Sequence, residues 1–272
     1  MSASVKRVLF VNSEIFPYVP ETPISKIGRY LPQGVLEKKR EIRSFMPRYG
    51  CVNERKNQLH EVIRLSGMNI VINDLDRPLV IKVASISAAR MQVYFIDNDD
   101  YFHRKQIDRD ESGKFFEDND ERAVFFARGV LETIKKLRWA PDIIHCHGWI
   151  SHILPLYLKK AYVEDPIFSG SKIVTSLYDE ALDETFQKDF AERAMFGTIT
   201  RDDVSLLDEA NGINLAKLAV HYSDGVIIGS DNVNAQLLDY CRESGLPMLP
   251  YNAQAMESGT YIDDYNSFYD SL

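Results

Sequence analysis

Long apolar runs are missing from this sequence: none approaches the roughly 18 residues that a membrane-spanning helix needs. Cysteine is scarce too. Cys51, Cys146 and Cys241 are odd in number and lack C-x-x-C spacing, which excludes a disulfide framework and a cysteine-based zinc site and suits a reducing compartment. The run from Val8 to Val11 is too short for a signal-peptide core, so a cytoplasmic location is expected. Positive charge is in deficit, with 32 Lys and Arg against 40 Asp and Glu and a net charge of -8. A nucleic-acid binder needs a basic footprint to displace counterions, so neither nucleic acid nor membrane is an expected partner. Also missing are G-x-G-x-x-G, a Walker A loop and the G-x-S-x-G elbow of hydrolases.

What is present is an alternation of short apolar runs with helical patterns. Val8 to Val11 reads as a buried strand, Ser25 to Lys39 as a helix and Ile42 to Phe45 as a second strand, a βαβ signature. From Leu59 to Ile96 the runs beginning at Glu61, Leu79 and Met91 crowd together and predict antiparallel hairpins. The charged segment Asp97 to Glu117 reads as a mobile loop, and Asn119 to Leu137 as a long amphipathic helix. Strands follow at Asp142 to Cys146, Lys172 to Ser176 and Gly225 to Gly229, with helices at Ile150 to Lys160, Asn214 to His221 and Asn232 to Cys241. A short helix is expected near Asp263. The expectation is one α/β domain over residues 1–272: a Rossmann-like, mostly parallel sheet with helices on both faces and a β-hairpin insertion.

In such sheets ligands sit beyond the carboxyl ends of the strands. That rule selects Asn12 to Pro23, His145 to Ser151, Thr175 to Asp179 and Gly229 to Asn232. His145-Cys146-His147-Gly148-Trp149 is the most unusual of these: histidine can donate to a sugar hydroxyl, and tryptophan can stack on a sugar face. Each residue alone reads at least as well as a satisfied core group. His145 and His147 share a strand face but lack a third ligand, so no metal is expected, nor any cofactor. Gly229-Ser230-Asp231-Asn232 reads as a helix start that could meet a phosphate, although Ser230 or Asp231 serves equally well as a simple N-cap.

Taken together these segments resemble the N-terminal half of the bacterial glycogen synthase and plant starch synthase family, retaining ADP-glucose glucosyltransferases of the GT-B fold. Val8 to Pro17 is similar to its opening strand and S-E-x-x-P signature, and Met46-Pro47-Arg48-Tyr49-Gly50 to its P-R-Y segment. Val93-Tyr94-Phe95-Ile96-Asp97 matches the strand before its variable loop. Asp118-Asn119, with Glu121-Arg122 and Phe125-Phe126, resembles its D-N-x-E-R-x-x-F-F helix start. Trp139 to Trp149 is similar to W-x-P-D-(V/I)-(V/I)-H-x-H-D-W, and Asn214 to Ser230 to a later family stretch containing Lys217 and Ser223-Asp224. The resemblance implies an N-terminal half whose strand edge contacts acceptor glucan. It makes His147 the family-equivalent active-site histidine, and Trp149, Asp118, Asn119 and Tyr94 further substrate-binding positions.

The departures bear on activity. The family's K-T-G-G-L donor loop is here Pro20-Glu21-Thr22-Pro23-Ile24, so a cation and two glycines give way to two prolines and a carboxylate. The acid of the family's H-D-W-H is Gly148, and its last histidine is Ile150. The T-x-H-N segment appears as Thr175-Ser176-Leu177-Tyr178, without histidine. Stabilising a leaving diphosphate is commonly the largest catalytic contribution. The expectation is therefore a synthase-like chain, catalytically impaired alone, that binds α-1,4-glucan rather than ADP-glucose. Two alternatives stand beside it: an enzyme half completed by a separate nucleotide-sugar-binding chain, and a protein-interaction scaffold. Either a partner chain or a homo-oligomer would cover the open face. Trp149→Ala is expected to weaken glucan binding with the fold intact.

Overall fold

The computed structural model describes residues 5–272. In chain order its elements are β1 (Arg7–Asn12), α1 (Pro23–Glu37), β2 (Glu41–Pro47), β3 (His60–Glu61), β4 (Met68–Ile72), β5 (Leu75–Ile86), β6 (Met91–Asp97), α2 (Asp99–Phe102), α3 (Asn119–Leu137), β7 (Ile143–His147), α4 (Leu154–Lys160), β8 (Lys172–Leu177), α5 (Phe190–Ala194), α6 (Gly212–His221), β9 (Gly225–Ile228), α7 (Ala235–Ser244), β10 (Met248–Leu249), α8 (Ala253–Ser258) and α9 (Tyr261–Ser271). The strands join one sheet in the order β10-β9-β8-β7-β1-β2-β6-β5-β3, with β4 paired to β5. From β10 through β6 all pairings are parallel, and β5 runs antiparallel to β6. This is the expected Rossmann-like sheet with its hairpin insertion.

Handedness distributes the helices. Right-handed crossovers place α1, which moves the chain from β1 to β2, on one face. The return from β6 to β7 runs the opposite way across the sheet and puts α3 on the other face, where α4 and α6 follow. The last helix comes back to the first face, where α9 packs on α1. Each central strand is therefore covered twice, which explains its uninterrupted apolar sequence: Val8, Leu9, Phe10 and Val11 are all fully buried.

Three expectations change on contact with the structure. The run Glu61 to Leu65 is a strand only at His60–Glu61 and then turns inward, with Leu65 buried and its N–H bonded to the Val62 carbonyl at 2.9 Å. The hairpin partner of β5 is instead β4, through a turn in which Asn73 and Asp74 both have positive φ, as a tight two-residue loop requires. The segment Asp97 to Glu117 is tied down rather than mobile. The buried Arg122 guanidinium donates to the carbonyls of Tyr101 at 2.9 Å and Ile107 at 2.6 Å, while Tyr101 and Phe102 enter the core. Part of its charge is paired, as in Arg109 with Glu184 at 2.6 Å and Lys114 with Glu117 at 2.8 Å. Among the described residues no helix is long and apolar enough to cross a membrane.

Candidate functional site

The strand order reverses direction around β1, which lies between β2 and β7, so a crevice opens beyond the carboxyl ends of β1 and β7. A cavity of about 1060 Å³ occupies it. Its floor is Ser13, Glu14, Trp149, Tyr178 and Glu180. One wall is the start of α1 from Glu21 to Tyr30, another is Ile107 to Arg109, and the far side is Gly229 to Asn232 with residues of α8 and α9. All four segments selected from the sequence contribute lining residues.

The matched site residues occupy different layers. Trp149 reaches the cavity, but its ring is 95% covered and packs against Phe115 at 5.3 Å and Phe186 at 5.8 Å between centroids, so only its rim is available. This corrects the expectation that Trp149→Ala leaves the fold intact, because emptying such a cluster leaves a large void. His147 lies one layer below the cavity. Its Nδ1 is 3.0 Å from the hydroxyl of Tyr178, which lines the cavity, and its Nε2 is buried without a partner. Burial holds its pKa down at about 3, so the ring is neutral. His145 is deeper still, held between the Tyr269 hydroxyl at 2.6 Å and Ser176 Oγ at 2.7 Å, which is a core role.

Asp118 and Asn119 act on the wall rather than the floor. Asn119 donates to the carbonyl of Asp108 at 2.8 Å and accepts from Arg122 at 2.5 Å, while Asp118 accepts from Arg104 at 2.5 Å. They hold the turn that presents Asp108 and Arg109 to the cavity. Tyr94 is not brought to this edge. It stacks on Phe45 at 4.9 Å and lines a smaller concavity at the opposite end of the sheet.

The altered donor loop has become a closed helix start. Thr22 caps α1, with its Oγ1 accepting from Ser25 N at 3.0 Å, and the Ser25 hydroxyl accepts from Thr22 N at 2.8 Å, a reciprocal capping box. Pro23 at the first helical position has no N–H. The box thus consumes two of the amides at the helix start, and the proline removes a third. Thr22 Oγ1 also donates to Glu14 at 2.7 Å. The segment Gly229 to Asn232 lines the cavity as loop, not as a helix start. Asn234 is the N-cap of α7, accepting from Gln236 N at 2.9 Å, so the helix start expected at Ser230 or Asp231 lies further along the chain, beyond a turn at 231–232.

Charge is the strongest property of the cavity. Glu14, Glu21, Asp108, Asp179, Glu180, Asp231 and Glu257 line it, against Lys26 and Arg109 alone. Both cations are engaged: Lys26 pairs with Glu21 at 2.6 Å and Arg109 with Glu184 at 2.6 Å. Burial raises the pKa of Glu14, Asp108 and Glu180, and repulsion from neighbouring carboxylates adds to each rise. Glu180 is pushed furthest, up to about 8, by burial first and then by Glu14.

Glu180 is the residue that motif matching passes over. Its Oε1 accepts from the Trp149 N–H at 3.0 Å, and its Oε2 is buried without a partner. Gly148 has φ +85 and ψ 155, and a Cβ placed there would lie 3.0 Å from Glu180 Oε1 and collide with Ser13 Oγ. A carboxylate from the loop after β8 thus fills the space beside position 148, where the family motif carries its acid. Asp179-Glu180 sits just past a strand end, and that position is the only signal the sequence offers. Among the described residues no group of three or more His, Cys, Asp or Glu is arranged to hold a metal ion.

Residues 7–248 match the family model of the starch synthase catalytic domain. The glycogen synthase of Chlorobaculum tepidum is 34% identical over 235 residues, covering 86% of this chain and 47% of that protein. That of Chlorobium limicola is 38% identical over 174 residues, 64% of this chain and 36% of that protein. The catalytic domain of starch synthase IV from Arabidopsis thaliana, solved bound to ADP and acarbose, superposes with a TM-score of 0.72 at 15% identity, over 91% of this chain and 51% of that one. The chain spans less than half the length of these glycogen synthases. With the sheet order, the strand-edge crevice and these matches in agreement, the chain belongs to the starch synthase catalytic domain family.

Proposed function

We propose that this chain binds an uncharged α-1,4-glucan in the strand-edge cavity and does not by itself transfer glucose from ADP-glucose. The carrying observation is the charge of the lining. With Glu180 held protonated near neutral pH, six carboxylates against two cations that are already paired leave the lining negative and repel a diphosphate, whereas sugar hydroxyls find acceptors and the Trp149 rim. The capping box and Pro23 withdraw the amide donors that would otherwise meet a phosphate. Parallel calorimetric titration with maltoheptaose and ADP-glucose tests the reading. Saturable binding of maltoheptaose with no ADP-glucose heat is expected, and the reverse pattern or glucose transfer by the purified chain sinks it.

Trp149→Phe is the informative substitution at the rim. Phenylalanine keeps the contacts with Phe115 and Phe186, so a stability loss of about 1–2 kcal/mol is expected by urea denaturation. Maltoheptaose affinity should fall about tenfold, the worth of one lost aromatic contact. Unchanged affinity would remove Trp149 from the glucan site.

A second reading rests on the span of the match. The matched relatives carry roughly as much chain again, and a nucleotide-sugar-binding domain facing this cavity would bring cations of its own. Under that reading, transfer activity appears only when such a domain is supplied.

A further inference from the structure

One aromatic ring in this chain is left in the open. The 14 tyrosines, 14 phenylalanines and 2 tryptophans are all buried or half-buried except Tyr30, which is 45% exposed. It stands on the wall of the strand-edge cavity. Helical spacing puts it there. Pro23, Lys26, Ile27 and Tyr30 recur at three- and four-residue intervals, and this face of α1 lines the cavity.

Neighbouring contacts hold the ring without covering it. Arg29 lies over it at 5.2 Å and donates to Gln33 Oε1 at 2.6 Å, and Gln33 donates in turn to Glu37 at 2.8 Å. Alongside, α9 packs closely on α1: a Cβ at Gly34 would lie 2.6 Å from Ile262 Cγ2, and Lys38 pairs with Asp263. This closeness brings Tyr261 near Tyr30, and the Tyr261 pKa is pushed up to about 12, by burial first and then by Tyr30. Lys26, one turn before Tyr30, pairs with Glu21 at 2.6 Å. The ring is therefore an apolar face rimmed by a hydroxyl and an ion pair. A sugar ring has the matching surface, with apolar C–H faces and a polar edge. A lone ring is too small an apolar area for a protein-docking patch.

Distance gives this ring its meaning. Thr22 Oγ1 donates to Glu14 on the cavity floor at 2.7 Å, and Tyr30 follows Thr22 along α1 by roughly 12 Å at the helical rise. One sugar at the floor does not reach it, whereas a chain of several does. We propose that Tyr30 is the stacking platform of a distal sugar subsite, which makes the cavity selective for extended α-1,4-glucan chains over short ones. This rests on the glucan reading of the cavity and adds the length of ligand that it takes.

Calorimetric titration of the full chain with maltose and maltoheptaose tests it. In Tyr30→Ala, maltoheptaose affinity should fall about tenfold, the worth of one stacking contact, while maltose affinity stays level. Tm should hold within about 2 °C, because an exposed side chain contributes little to stability. Tyr30→Phe keeps the ring and should keep the affinity. Maltoheptaose affinity that Tyr30→Ala leaves within about twofold overturns the subsite alone. So does an equal loss for both sugars, or a loss in Tyr30→Phe as large as in Tyr30→Ala. No maltoheptaose binding by the unaltered chain overturns the glucan reading of the cavity, and the subsite with it.

Discussion

Gly148→Asp, which reinstates the acid of the family motif, is expected to cost about 4 kcal/mol of stability and to restore no glucose transfer. Three effects add. The backbone at φ +85, ψ 155 lies where side-chain-bearing residues are strained by about 1–3 kcal/mol. The new Cβ would fall 2.6 Å from Ser13 Cβ, an atom fixed to the backbone that cannot swing aside, so the loops after β1 and β7 must separate. Overpacking of that kind costs about 1–3 kcal/mol. The added carboxylate would also stand against Glu180, whose charged form this site already disfavours. Urea denaturation with the slope held constant reads the loss. A midpoint equal to that of the unaltered chain would show that the loop relaxes freely and that Glu180 does not occupy the space.

This substitution shows what the sequence displays and what it hides. Gly148 is visibly a lost acid, because a motif compares one position with one pattern. That Glu180 reaches the same space is invisible, since the two residues meet only through the β7–β8 pairing and lie on different loops. The sheet was largely legible because burial on both faces writes itself as apolar runs, as in Val8 to Val11 and Ile143–Ile144. The hairpin region was less so. Between Val62 and Leu65 only Leu65 is buried, beneath a turn, while Ile63 is 82% exposed, and periodicity does not distinguish that from a strand. Tyr94 illustrates a third limit. Its motif gave a family position, but the parallel register of β2 and β6 carries its ring to the end of the sheet away from the cavity. Asp118 and Asn119 are within reach of function only through the wall they brace.

Glu180→Gln is expected to remove most of a pH-dependent penalty that the native chain carries above pH 5. In the unfolded chain this carboxyl loses its proton near 4.5, and in the folded chain it keeps it up to about 8. Between those values the native state holds more protons than the unfolded state, so stability falls as pH rises and levels off once both forms are ionised. Below pH 4.5 both are protonated and the group contributes nothing. Every pH step of one between the two values costs about 1.4 kcal/mol, and partial solvent access lowers the sum, so about 3 kcal/mol is expected near pH 8. Glutamine keeps an acceptor for the Trp149 N–H, so the substitution isolates the charge. The melting temperatures of the two proteins should coincide near pH 4.5 and diverge by roughly 6–12 °C at pH 8, the variant being higher. Curves that stay parallel across this range would place the Glu180 pKa in the ordinary carboxylate range. The same titration bears on the ligand. At pH 7 a protonated Glu180 holds the charge of the cavity down by one. Maltoheptaose affinity should therefore decline in the unaltered chain as pH passes 8 and stay level in Glu180→Gln, a difference that a purely structural carboxyl would not produce.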